Sequence, residues 1–443
     1  MLPVNSALRL PRSPASAARP RVVQRLEKGL CAPRSRWQAC LVAAVTLAGA
    51  LAAQVDPYAA LPRHHIRPSD LPAPYHSRSV VNPPKVVPQP KGALVNVPAG
   101  FSARVVAEGF STPRGMALAP NGDLFLTESS GDRLTVLRDE DGDGLFEHRW
   151  VFSSRLDRPF GIAFIDQWVY VGNTGSVVRF AYEPGQTKAS QRPEKILDLP
   201  TGGHWTRNLL HQAEENKLYI SVGSRRNVAE EGPYRAAILR CNPDGSDVEI
   251  FASGLRNPVG LAWEPRSGTV WTCVNERDGL GDDLVPDYAT HVEEGAFYGW
   301  PYSYIGANLM PGFAQPRPGL VERAVVPDVL FQAHSAALGM AFYTAAQFPE
   351  HFHGGAFVAF HGSWNRKQRT GYKVVYLPMD EQGLALGYYE DFMTGWEDTS
   401  SSKTVWGRPV EVLVDRDGSL LITDDGNDKL WRVIYTGAGA RDD

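Results

Sequence analysis

One pattern returns along the chain and restricts the folds open to it. A turn carrying proline or arginine leads into a Gly-apolar-Ala-apolar run. A polar turn follows, and an alternating strand then ends in small polar residues. The pattern is clearest in TPRGMALAPNGDLFLTES (Thr112–Ser129), RPFGIAFIDQWVYVGNT (Arg158–Thr174) and NPVGLAWEPRSGTVWTCVN (Asn257–Asn275). It is looser in TRNLLHQAEENKLYISVGS (Thr206–Ser224), carries an insertion in Ala336–Ser363, and returns in GRPVEVLVDRDGSLLITDDG (Gly407–Gly426). Strands dominate each unit and no helical period emerges. The units recur roughly every 45–80 residues, as in a propeller or solenoid. Six of them predict an all-β, six-bladed β-propeller over residues 95–437. Blades buried on both faces account for strands that are apolar on both sides, and the glycines fit close backbone approach near the axis.

The flanks read differently. Residues 1–53 form a leader: Arg9, Arg12, Arg19, Arg21, Arg25, Arg34 and Arg36 precede the apolar run ACLVAAVTLAGALAAQ. That run has the length of a signal-peptide core, is shorter than a spanning helix, and ends in small residues. Export to the periplasm or exterior with cleavage is the expectation, leaving no membrane span in the mature chain; an uncleaved anchor is the alternative. Residues 54–94 are proline-rich and aperiodic, an extended linker lying along the domain, and 438–443 form a tail. Lys and Arg total 45 against 49 Asp and Glu, so there is no basic footprint for nucleic acid. Outside the leader only Cys241 and Cys273 remain, too few for a disulfide framework; buried thiols are expected ahead of a pair. No C-x-x-C-H haem site is present.

Arginines head the repeats: Arg114, Arg158, Arg207, Arg256 and Arg408. Gathered at one mouth of a ring, their forks would suit carboxylates or phosphates. The loop NERDGLGDD (Asn275–Asp283) is glycine-rich and too acidic to be filler. A second acidic turn, DEDGDGLFE (Asp139–Glu147), begins like an EF-type calcium loop but has Trp150 at position twelve. It reads equally as a structural calcium turn or a polar hairpin tip.

Taken in order, TGGHWTRNLL, YISVGSRRN, ASGLRNPVGLAWEP, NERDGLGDDLVPDYATHVEEGAFYGWPYSYIG, FVAFHGSWNRKQRTGYKVV and VWGRPVEVLVDRDGSLLITDD resemble the glucose/sorbosone dehydrogenase family over roughly residues 95–437. The likeness is greatest to sorbosone dehydrogenase-type sequences. Soluble members are six-bladed propellers that use pyrroloquinoline quinone (PQQ) and calcium. The resemblance places His204 at the general base, a role that suits an imidazole titrating near neutrality. It places Arg226, Asn227, Arg256, Asn257, Arg366 and Arg408 at cofactor-binding positions, and Gln332 and His334 where residues cover the cofactor. Asn365 aligns about as well as Arg366 with a family lysine. Backbone carbonyls of Asp278 and Gly279 fall at the calcium, with Glu276, Asp282, Asp283 and Asp287 adding negative potential. Two positions depart from the pattern: Ser224 stands where glucose-type members have an aspartate beside the base, and Trp406 replaces a second arginine beside Arg408. His204 therefore needs another orienting partner.

The resemblance implies oxidation of a sugar, sugar aldehyde or related alcohol, with electrons leaving to an external quinone or cytochrome. Two other readings remain. One is a calcium-dependent lactonase or esterase propeller; the other is a non-catalytic carbohydrate- or protein-binding propeller.

Overall fold

The computed structural model describes residues 56–313, 317–397 and 403–437. The leader and the tail lie outside the described residues. Each sequence repeat forms the two inner strands of an antiparallel sheet, and six such sheets form the blades of a propeller. Blade 1 comprises Pro113–Leu118, Leu124–Glu128, Arg133–Arg138 and His148–Ser154. The innermost strands of blades 2 to 6 are Ile162–Ile165, Leu209–Gln212, Pro258–Glu264, Ala337–Phe342 and Pro409–Val414. They touch one another in chain order around the axis, and blade 6 returns to blade 1. The outer strand of blade 6 is Phe101–Glu108, paired antiparallel with Lys429–Tyr435 near the end of the chain. This latch ties the ring shut.

The small polar residues that end each repeat join neighbouring blades. Thr127 donates its hydroxyl to the Phe160 carbonyl at 2.8 Å, and Thr423 donates to the Arg114 carbonyl at 2.9 Å. Ser221 reaches the Val259 carbonyl at 3.3 Å. Each hydroxyl thereby satisfies a buried carbonyl of the next inner strand, which an apolar side chain would leave unpaired. The glycines permit this crowding. A Cβ on Gly260 would lie 2.3 Å from the Leu338 carbonyl, and one on Gly339 would lie 2.1 Å from Glu411 Oε1. Where the inner strands converge, Phe160, Val259, Leu338 and Val410 form an apolar cluster with Trp205 packed against it. This cluster makes a dry floor beneath the mouth of the ring.

Glu411 occupies in blade 6 the register that glycine holds in four other blades. Burial pushes its carboxyl up from 4.5 to about 8. The folded protein keeps this proton while the unfolded chain releases it. Stability therefore falls as pH rises from about 4.5 towards 8, by about 1.4 kcal/mol per pH unit within that window. Urea unfolding at pH 5 and pH 8 should show Glu411→Gln removing that slope.

Before the first blade the chain runs along the outside of the ring. Arg63–His64 adds a fifth strand to blade 5, and Lys85–Val86 pairs in parallel with Thr404–Val405. Trp396, Trp406 and Trp431 pack in one aromatic cluster, so Trp406 is a core residue. Cys241 and Cys273 are buried and unpaired. In the Asp139–Glu147 turn the carboxylate oxygens of Asp139, Asp141, Asp143 and Glu147 lie within 4.8 Å of one another. Asp139 there accepts the backbone N–H groups of Gly142 and Gly144. Among the described residues no helix is long and apolar enough to cross a membrane.

Candidate active site

Loops entering the first strand and leaving the second strand of several blades enclose a cavity of about 380 Å³ above the apolar floor. His204, from the loop before blade 3, lines it. Its Nδ1 lies 2.8 Å from the Ser224 carbonyl, which can only accept, so the proton sits on Nδ1 and Nε2 keeps a free lone pair. Ser224 Oγ donates instead to the Arg226 carbonyl at 2.8 Å. The other orienting partner that His204 needs, with Ser224 in place of an aspartate, is thus a backbone carbonyl. Burial, then the nearby Arg256 charge, lower the imidazole from 6.5 to about 4. It is neutral at physiological pH and able to take a proton.

One wall of the cavity is cationic. Arg114 pairs with Asp425, and His361 Nε2 donates to Asp425 Oδ1 at 2.8 Å. Arg408 Nη2 donates to His361 Nδ1 at 3.0 Å, which fixes a neutral imidazole between a guanidinium and a carboxylate. Burial and Arg408 lower His361 to about 4. Burial alone would raise Asp425; Arg114, His361 and Arg408 outweigh it and hold the carboxyl well below its ordinary 3.8. Burial and the repulsion of Arg408 and Arg158 lower Arg114 although Asp425 opposes them. Its Nε is buried without a hydrogen-bond partner. Positive charge exceeds negative here, and a buried donor lacks an acceptor.

The opposite wall is acidic. Glu276, Asp278 and Asp287 line the cavity with Asn257 and Asn365. Burial raises Glu276 to about 7 and Asp287 to about 6. Asp278 is also pushed up by burial, but His334 and Arg256 outweigh this and leave it lowered. Asn365 Nδ2 donates to Asp278 Oδ1 at 2.5 Å, which turns its Oδ1 the other way. That oxygen and Asn257 Oδ1 are both buried without a donor. Carboxylates with unpartnered amide oxygens are a donor set suited to a hard divalent cation.

Of the residues picked out by the sequence, His204, Arg256, Asn257, Asp278, His334 and Arg408 line the cavity. Arg114, Glu276, Asp287 and Asn365, also singled out there, line it too, whereas Arg226, Asn227, Arg366, Gly279 and Gln332 lie outside it. Arg226 is exposed, and Asn227 ties loops together by accepting from Asp278 N and donating to Asp278 O, both at 2.9 Å. Arg366 directs its guanidinium to Asp282 O at 3.0 Å and to Asp283 Oδ1 at 2.5 Å. Its neighbour Asn365 faces the cavity instead. Gly279 is exposed at φ 93°, and the Asp278 carbonyl already accepts from Asn227. Gln332 accepts the Thr370 hydroxyl away from the lining. Arg256 faces the cavity but spends its donors on carbonyls of Asn227, Asn275 and Glu276, on Asn227 Oδ1 and on Asp278. The expected ring of arginines is incomplete. Arg207 is fully buried on the carbonyls of Pro200, His204 and Thr206, and Arg158 lies over the Trp205 ring at 4.2 Å. Sequence reasoning missed His361 and Asp425, although both stand in the motif runs HGSWNR and ITDDG.

Fold and site together define a six-bladed propeller whose axial mouth sets an arginine wall against a carboxylate wall. The sequence profile of the TrAA12-like family matches residues 95–295 and 321–436, and the chain belongs to that family. It is 24% identical over 338 residues to the pyrroloquinoline quinone-dependent pyranose dehydrogenase of Coprinopsis cinerea, covering 66% of this chain and 46% of that protein. It is 33% identical over 211 residues to an aldose sugar dehydrogenase of Escherichia coli K12, covering 41% of this chain and 55% of that protein. The chain therefore spans about half the length of these relatives. Among solved structures, a calcium structure of the Trichoderma reesei carbohydrate-active enzyme family AA12 superposes with TM-score 0.68 at 19% identity, over 79% of this chain and 99% of that one. This likeness supports the fold.

Proposed function

We propose that the protein is an exported quinoprotein dehydrogenase that oxidises an aldose, a sugar aldehyde of the sorbosone type or a related alcohol, using PQQ and calcium. One observation carries this reading: a neutral imidazole with a free Nε2 opens onto a cavity whose two walls carry opposite charge. The Arg-rich opening and apolar run of residues 1–53 support export. The names of the two relatives support the cofactor and the sugar class.

The residues present fit both groups. PQQ carries three carboxylates, and Arg408 and the unpartnered Nε of Arg114 offer donors on one wall. Glu276, Asp278 and the free Oδ1 atoms of Asn257 and Asn365 offer oxygens to calcium on the other. When bound, the quinone accepts hydride and the cation polarises it as a Lewis acid. His204 Nε2 takes the substrate hydroxyl proton as the hydride leaves, and the Ser224 carbonyl holds the ring in the tautomer that permits this. The apolar floor of Phe160, Val259, Leu338 and Val410 closes the cavity from below and keeps water from that side. An external quinone or cytochrome would be the acceptor for the electrons.

The test is a titration of purified protein with PQQ and calcium, followed by dye reduction with a panel of aldoses. Saturable, calcium-dependent dye reduction is expected. Lactone hydrolysis without PQQ would instead make the protein a hydrolase, and neither activity a binding propeller. Arg408→Ala should weaken PQQ binding about ten- to hundredfold, the loss of one charge-assisted bond, with the fold intact by circular dichroism.

A further inference from the structure

The segment before the first blade lies ahead of residue 95, where the family match begins. It nevertheless touches the mouth of the cavity. Tyr75 N donates to the Leu280 carbonyl at 2.8 Å. Ser79 Oγ accepts Gly281 N at 3.0 Å, and Ser77 Oγ accepts Asp282 N at 2.7 Å. A few residues on, Asn82 N donates to the Trp364 carbonyl at 2.7 Å, and its Nδ2 donates to the carbonyls of Arg366 and Lys367 at 3.0 and 3.2 Å. Lys85 N and Val87 N then donate to the carbonyls of Lys403 and Val405 at 2.8 and 2.9 Å. A single segment, residues 75–87, thus laces three loops. The first follows Asp278, the second contains Asn365, and the third precedes Arg408.

Contact with the first loop is close. Gly281 has φ 118°, and a Cβ on it would lie 2.8 Å from Ser77 Oγ. The Gly281 carbonyl accepts His334 Nε2 at 2.9 Å, so the segment, this loop and a cavity-lining histidine form one hydrogen-bonded series. The acidic wall depends on the first two loops standing at a fixed separation, because Asp278 and Asn365 come from different blades and meet at 2.5 Å. Loops held in place before a ligand arrives spare binding the cost of ordering them.

We propose that Ser77, Ser79 and Asn82 are positioning residues. They hold the Leu280–Asp282 and Trp364–Lys367 loops at the separation that joins Asn365 to Asp278, and so set the affinity of the acidic wall for a divalent cation. The affinity part rests on the calcium reading given above.

The experiment compares the full chain with Ser77→Ala/Ser79→Ala and with Asn82→Ala. These side chains are half-buried or exposed, so the variants should fold. Hydrogen exchange in the cofactor-free protein is read at residues 278–283 and 363–368. Calcium affinity is read by calorimetry with PQQ present. About tenfold faster exchange is expected in the loop whose bonds are cut, and about tenfold weaker calcium binding, with the melting temperature little changed. Lys91→Ala on the same segment should alter neither. Exchange and affinity equal to the parent's in both variants would overturn the proposal. A parent that takes up no calcium would sink the functional reading instead, and the exchange comparison would still decide the loop-holding role.

Discussion

His204→Gln should lower kcat for dye reduction about 10²–10⁴-fold, the usual contribution of a positioned general base, while PQQ and calcium still bind. Glutamine fills similar space and reaches the position of Nε2, but it has no basic nitrogen to receive a proton. The readout that separates base from scaffold is the split between steps. Cofactor affinity should stay within about fivefold of the parent's, because one neutral hydrogen bond more or less is worth about a kcal/mol or less. A variant as fast as the parent would show that the proton goes elsewhere.

Asp425→Asn should cost about 3–5 kcal/mol of stability, as expected when one partner of a buried ion pair is removed. Asparagine keeps the shape and loses the charge, which leaves Arg114 and Arg408 repelling each other across a neutral His361. Chemical unfolding at pH 7 measures the loss. Because the native carboxyl is held below 3.8 while the unfolded one is not, its contribution is complete above about pH 4 and disappears as the pH falls through the folded value. The difference between parent and variant should shrink accordingly in acid. An anion that settles on this wall should recover part of the loss, so PQQ should raise the melting temperature more in the variant than in the parent. An unchanged melting temperature in Asp425→Asn would mean that the arginines are already screened by solvent.

The ring could be read from the sequence because each blade repeats the same local problem. Gly260 and Gly339 mark backbone contacts that a Cβ would block, and Thr127 and Thr423 mark carbonyls that need a donor. Such requirements recur at fixed register and therefore show as a pattern. The site was legible only in part. His204 and Arg408 stand in distinctive runs, but spacing says nothing about direction, so Arg207 was indistinguishable from Arg114. One turns back to three carbonyls of its own loop and the other turns to the axis. Asp425 was missed because its partner Arg114 belongs to the blade at the other end of the chain. The segment at residues 75–87 has no periodicity, and its role rests on which loop N–H and carbonyl groups it reaches, which only the folded loops reveal. Trp406 looked like a lost arginine and is a filled core position.

The latch between Phe101–Glu108 and Lys429–Tyr435 also orders events in time. A polypeptide threaded out from its N-terminus presents the first half of that pairing early and must wait for nearly the whole molecule before the second half arrives. Arg408 and Asp425 travel in the same late stretch. The cavity with both its walls therefore cannot exist in a partial copy, and a nascent or clipped molecule has only half-built walls.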